Sequence, residues 1–304
     1  MKTKNMVLLI LLALCWGPSF FFIKIALREL STFSIVTIRL AVAGILLFIL
    51  IQLQRKHFFR WLHLWKHFIA IALLANIIPL SLITYSETLI SSSLAGILNS
   101  SPPIFTVIFA HYFLDHEKIS LSKVVGISLG FSGIVLIFLP SLYLSQDSSM
   151  LGVLYVTLAS ISSAAGMVFA KKYLSKLPHL IAPAYQMLLG ALLLLPFSLS
   201  IDKLHTHLLP SWQVLSALLG LSLLGTLFAY VIYYYLVTHV TATYLSTSSL
   251  LFPLVSTFLG VVVLKEQLSW TAYLGCFLIL LGLALTNALL SWEDLKNLFR
   301  VKKK

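Results

Sequence analysis

The chain has 304 residues, of which 60% are hydrophobic and 10% charged, and a formal net charge of +12. A water-soluble domain carries roughly a quarter charged residues, so this chain lacks the groups to cover itself in water and must use lipid as its solvent. The basic residues stand in short clusters between apolar runs, which is a membrane-topology signal and argues against nucleic acid as the reason for the charge.

Apolar windows predict ten helices, at about 5–26, 34–54, 67–86, 92–113, 122–140, 150–171, 180–200, 212–236, 241–264 and 270–290. Open strands would leave backbone groups unpaired in hydrocarbon, and the runs are too long and too uniformly apolar for barrel strands. The fold class expected is therefore all-α integral membrane. The first run follows Lys2 and Lys4 like a secretory signal, but Leu14 stands where a small residue would precede Cys15. The run also continues through Phe20-Phe21-Phe22-Ile23, so an uncleaved first span is expected. Cys15 and Cys276 lie inside apolar runs and form no CxxC pair, which gives no disulfide, metal or redox role. The stretch from Arg55 to His67 mixes cations with aromatics and reads as an interfacial anchor ahead of an anionic-lipid site. Residues 141–149 read as a linker. Residues 291–304 form a basic tail in which Trp292, Leu295, Leu298 and Phe299 recur at helical spacing, as expected of a segment lying along the inner membrane surface.

Charge sets the orientation. With the N-terminus in the cytoplasm, sixteen of the 21 Lys and Arg fall on the cytoplasmic side. Lys24, Arg28, Lys203 and Lys265 fall on the other, and Arg39 lies within the second span near its outer end. This bias predicts both termini inside.

One stretch occurs twice. Tyr85 is followed by Pro103, Glu117, Gly126 and Gly133, and Tyr235 by Pro253, Glu266, Gly275 and Gly282. Tyr to Pro is 18 residues in both copies, Glu to the first Gly 9, and first Gly to second 7; only Pro to Glu differs, 14 against 13. The chain thus divides into units 5–140 and 150–290. Five spans per unit return the second unit to the membrane from the opposite side, so the two are expected to be inverted repeats. A substrate site is then expected where the halves meet.

No HExxH, GxSxG, phosphate loop or acidic pair at i, i+4 occurs, and no cofactor or metal is expected. All nine carboxylates fall at span ends or in loops, which weakens a carboxylate-based proton antiport. His111 is the nearest in-span titratable group. It reads as a packed or hydrogen-bonded side chain ahead of a proton relay. Arg39 and Lys24 could attract an anionic group, although snorkelling to the interface is their ordinary role. What lies at mid-depth is neutral and polar, or aromatic. Trp16, Asn76, Asn99, Ser101, Ser163, Tyr230 and Tyr234 are the cavity-lining candidates, set against a role as helix–helix glue. Pro79, Pro103 and Pro253 interrupt the backbone ladder and read either as hinges of a gate or as static bends. Gly126, Gly130 and Gly133, like Gly275 and Gly282, read as close-packing positions.

Taken together, these residues resemble the drug/metabolite transporter superfamily, in its ten-helix form with two EamA domains. Trp16-Gly17-Pro18-Ser19-Phe20 matches the family's Trp-Gly-x-x-Phe start, and Pro103…Glu117 and Pro253…Glu266 match the ends of its fourth and ninth spans. The Gly-containing fifth and tenth spans follow each Glu. The likeness covers about 5–290. It implies a bacterial inner-membrane carrier of small metabolites, often an exporter of amino acids, with a central cavity lined by spans one, three, four, six, eight and nine. Obligate intracellular bacteria use relatives to import host metabolites such as S-adenosylmethionine, so import is the alternative direction. The second repeat departs from the first: Ser163-Ala164-Ala165-Gly166 replaces Trp16-Gly17-Pro18-Ser19, and Tyr185 lies roughly where Arg39 does. The expected function is carriage of a small zwitterionic compound by alternating access. The expected partners are that small molecule and the bilayer, not nucleic acid, with the protein a monomer or homodimer. An integral-membrane lipid-modifying enzyme and a non-transporting sensor are the rivals from other classes.

Overall fold

The computed structural model describes residues 3–90, 92–115, 117–144, 150–202, 210–252 and 270–286, and every regular element among them is helical. Helix α1 runs as Thr3–Trp16 and Ser19–Ala26, broken at Gly17-Pro18. The chain carries on after the kink because Gly17 N still donates to Ala13 O (2.8 Å) and Phe22 N to Pro18 O (3.1 Å). Helix α2 is Thr32–Leu53. Helix α3 begins as a 3₁₀ turn, Phe58–Leu64, continues as Trp65–Ala72, widens to π geometry over Leu73–Ile77 and ends as Ile78–Ser86. Then come α4 (Ser92–Leu98), α5 (Pro102–Phe113) and α6 (Leu121–Leu144). Helix α7 is Met150–Phe169 with a π end, Ala170–Leu174, and α8 is Ile181–Ser200. Helix α9 joins Trp212–Ser222, a π segment Leu223–Phe228 and Ala229–His239. Helix α10 (Ala242–Ser246) passes into a 3₁₀ turn, Thr247–Leu251, and α11 is Trp270–Thr286.

Among the described residues, six stretches are long and apolar enough to cross a membrane: Thr3–Ala26, Thr32–Leu53, Phe58–Ser86, Met150–Leu174, Ile181–Ser200 and Trp212–His239. Their outer faces carry exposed Phe21, Ile45, Ile49, Leu192 and Phe197, as lipid-facing surfaces do. The fourth predicted span is split rather than continuous. Proline at 102 and 103 has no N–H to donate and disfavours helix in the residue before it, so α4 stops at Leu98 and α5 starts afresh. Pro253 lies outside the described residues, as do Glu266 and the basic tail.

The packing joins early elements to late ones. Helix α1 lies on α9, α2 on α8, α3 and α5 on α7, α10 on α5, and α6 on α11. The last pair meets through glycine. A Cβ on Gly133 would sit 2.5 Å from Gly275 O, and one on Gly282 would overlap Gly126 O and lie 2.6 Å from Gly130 N. Backbones this close leave no room for side chains. The Arg55–His67 stretch is only partly the anchor expected of it. Phe58 turns inward and stacks on Tyr185 (4.1 Å between ring centroids), whose other face stacks on Phe68 (4.2 Å). Phe59, Leu62 and Trp65 stay exposed.

Carboxylates at the span ends hold elements together. Glu117 accepts from Ala242 N (2.7 Å), Thr243 N (3.0 Å) and Thr243 Oγ1 (3.0 Å) and so satisfies free N–H groups at the start of α10. Lys171 Nζ donates to Val237 O (2.7 Å) and Val240 O (2.6 Å) at the end of α9. Asp202 Oδ2 accepts from Ser34 N (2.7 Å) in the first turn of α2, and Glu29 Oε2 accepts from Ser211 N (2.7 Å).

Candidate functional site

Side chains donate to π-segment carbonyls at Leu74, Ala75 and Gly225, and Ala75 is part of the wall of one cavity. About 870 Å³ of empty space lies within it, the open solvent at its mouth included. Its wall comes from both parts of the chain: α1, α2, α3 and α5 on one side, α7, α9 and the α10 region on the other.

Trp16 closes the end of the first half of α1 and stands in an aromatic box. Its ring meets Tyr230 (5.9 Å, 78°), Tyr233 (5.8 Å, 52°) and Phe252 (6.2 Å, 89°). Edge-to-face packing of this kind fixes ring direction as well as burying area. Ser163, Asn99, Pro79 and Tyr230 also reach the wall.

Behind Tyr230 lies a buried polar chain. Tyr230 OH lies 2.9 Å from Asn76 Oδ1 and 3.0 Å from Ala75 O, a carbonyl in the π segment of α3. Gln186 Nε2 makes a long contact to Asn76 Oδ1 (3.4 Å), and Gln186 Oε1 accepts from Tyr234 OH (2.7 Å). Asn76, Gln186 and Tyr234 are thus spent on one another, not on the cavity surface. Asn76 Nδ2 has no hydrogen-bond partner. Ser162 Oγ reaches a second π-segment carbonyl, Leu74 O (2.8 Å).

The π segment of α9 is served by Arg39. Arg39 Nε donates to Thr226 Oγ1 (2.6 Å) and Nη2 to Gly225 O (2.8 Å), while Thr226 Oγ1 itself donates to Leu221 O (2.8 Å). Arg39 is 3% exposed and lines the cavity. It therefore does not snorkel to the interface: the carbonyl freed at Gly225 holds the guanidinium inside the bundle.

Among the described residues, the candidates Ser101, Pro103 and His111 are not part of the wall. Ser101 Oγ donates to Leu98 O (2.7 Å) and bridges the gap between α4 and α5. Pro103 is buried in the first turn of α5, while its neighbour Pro102 reaches the wall. His111 sits near the end of α5, its Nδ1 accepting from Ile119 N (3.3 Å). Ser19, Phe20, Tyr233, Ser249 and Phe252 belong to the wall and were not among the candidates. Ser19 and Phe20 were within reach, since they complete the Trp16-Gly17-Pro18-Ser19-Phe20 motif and follow Trp16 by about one helical turn.

The EamA-like transporter family matches the chain twice, over residues 3–139 and 150–288. An uncharacterized transporter of Archaeoglobus fulgidus is 31% identical over 92% of this chain and 97% of its own length. The uncharacterized transporter YoaV of Bacillus subtilis is 26% identical over 92% and 95%. A solved crystal structure superposes with a TM-score of 0.78 over 95% of this chain and 98% of that one; at 17% identity the likeness is one of fold alone. Family and relatives are transporters, not enzymes, and the lipid-modifying alternative has no support. With two matches that together span nearly all of it, the chain belongs to the EamA-like transporter family and is a multi-pass membrane transporter.

Proposed function

We propose that this transporter is a ten-helix carrier built as two inverted five-helix repeats, 5–140 and 150–290, which rock about the cavity and expose it to each side in turn. The observation that carries the reading is the cavity wall, which draws its aromatic box and polar groups from both units. The pairing of elements supports the two-fold relation: each of α1, α2, α3, α5 and α6 packs on an element of the other unit. So do the π segments Leu73–Ile77 and Leu223–Phe228, whose starts are 150 residues apart, the same offset as Tyr85 and Tyr235. Short π segments and broken helices at a binding site are a recurring device of carriers.

The cargo on this reading is a small zwitterionic metabolite of the amino acid type, exported across the bacterial inner membrane, with both termini in the cytoplasm. The aromatic faces on the wall suit a cationic amine. The test is counterflow in proteoliposomes with labelled amino acids, nucleosides and S-adenosylmethionine. Saturable exchange of one compound, lost in Trp16→Ala protein that still inserts and elutes as a single species, is the expected result. Unchanged exchange in both Trp16→Ala and Tyr230→Ala would remove the cavity from the transport path.

A further inference from the structure

We propose that Arg39 and Ser19 form a seat for a small organic carboxylate on the cavity wall. The proposal rests on the carrier reading above and adds the charge of the group that must be recognised.

The guanidinium is held but not spent. Nε and one hydrogen of Nη2 are committed to Thr226 Oγ1 and Gly225 O, which fixes its plane. Among the described residues no other group accepts from it, so Nη1 and the second hydrogen of Nη2 remain to donate. No carboxylate among the described residues is bonded to it. Among the described residues, Glu29, Glu87, Glu117 and Asp202 are each engaged elsewhere. A buried cation without a counter-ion is costly, and in a membrane bundle such a group marks a substrate pathway.

A second orphan lies beside it. Ser19 is 7% exposed, and its hydroxyl has no hydrogen-bond partner. A methyl group built on Gly225 would lie 2.5 Å from Ser19 Oγ and 3.4 Å from Arg39 Nη2, so hydroxyl and guanidinium border one point that the missing Cβ keeps open. Both residues line the cavity. A planar fork with free N–H groups and an adjacent hydroxyl match the two oxygens of a carboxylate. Arg39 is the one charged residue among the described residues of the wall, which balances a single negative charge rather than a phosphate dianion.

The bland role for Arg39 is to pin the π segment of α9. The experiment separates the two. Counterflow of labelled amino acids is measured in wild-type protein and in the Arg39→Lys, Arg39→Met and Ser19→Ala variants. Each labelled acid is competed with its decarboxylated amine and its carboxamide. The seat predicts that the acid competes at least about tenfold better than amine or amide in wild-type protein. It predicts that Ser19→Ala raises the half-saturating concentration severalfold, and that Arg39→Met raises it about tenfold or more and abolishes the discrimination. Arg39→Lys keeps the preference for the acid at weaker affinity. Competition by amine or amide equal to that of the acid in wild-type protein, needing no variant to fold, would overturn the seat and leave the carrier standing. A lower maximal rate in Arg39→Met with unchanged half-saturation would assign Arg39 to pinning alone. If folded wild-type protein exchanges none of the amino acids but does exchange an uncharged compound, the seat falls alone; if it exchanges nothing, the carrier reading falls with it.

Discussion

Tyr230 shows how single residues divide their labour. Its ring faces Trp16 and the cavity, while its hydroxyl serves the buried Asn76. Replacing it by Phe keeps the ring and leaves acceptors unmet, at a cost of about 1–3 kcal/mol. The expected outcome is a lower Tm in detergent with the Trp16 contacts retained, read from tryptophan emission. Glu87 is the counterpart at a span end, one residue beyond α3. Burial pushes its carboxyl up to about 8, against smaller lowering effects from the Ser92 hydroxyl and Lys24. The folded state then binds a proton that the unfolded state has released, so this contribution to stability is complete below about pH 4.5 and is lost as pH rises towards 8. Tm should fall over that window, and Glu87→Gln should flatten the fall. A Tm that rises with pH there in wild-type protein would contradict the assignment. Trp16, Tyr230 and Asn99 were legible as cavity residues because aromatic and amide groups at mid-depth have few other uses. Asn76 and Tyr234 were legible as polar but not as residues behind the wall, since that depends on Gln186 reaching between them. The inward hold on Arg39 was not legible, because nothing in the residues Leu223–Phe228 announces a π segment with a carbonyl to offer.

Among elements, the pair α6 and α11 depends most on small residues. Gly126, Gly133 and Gly282 lie so close to the opposing backbone that a side chain must push the helices apart. Gly282→Val should destabilise the protein by about 1–3 kcal/mol while leaving Trp16 and Tyr230 untouched, measured as a drop in Tm without a change in half-saturating substrate concentration. Glycine spacing made this packing legible before any coordinates, as the prolines did the break between α4 and α5. The sequence was silent on the early start of α3 at Phe58, because the stack of Phe58, Tyr185 and Phe68 joins residues far apart in the chain.

For the whole molecule, composition dictated an all-helical membrane protein, and the repeated Tyr, Pro, Glu and Gly pattern pointed to duplication. The double match to one transporter family agrees with that pattern. What composition could not supply was the cavity, which exists only because elements distant in sequence are brought together around broken helices. Its central role is best tested by access. In protein with Cys15→Ser and Cys276→Ser, a single cysteine at Ser163 on the cavity wall would be treated with an impermeant thiol reagent from either side of sealed vesicles. Alternating access predicts labelling from both sides, with substrate slowing it on each. Labelling from one side only, with and without an exchanging substrate, would contradict a cavity that opens to both.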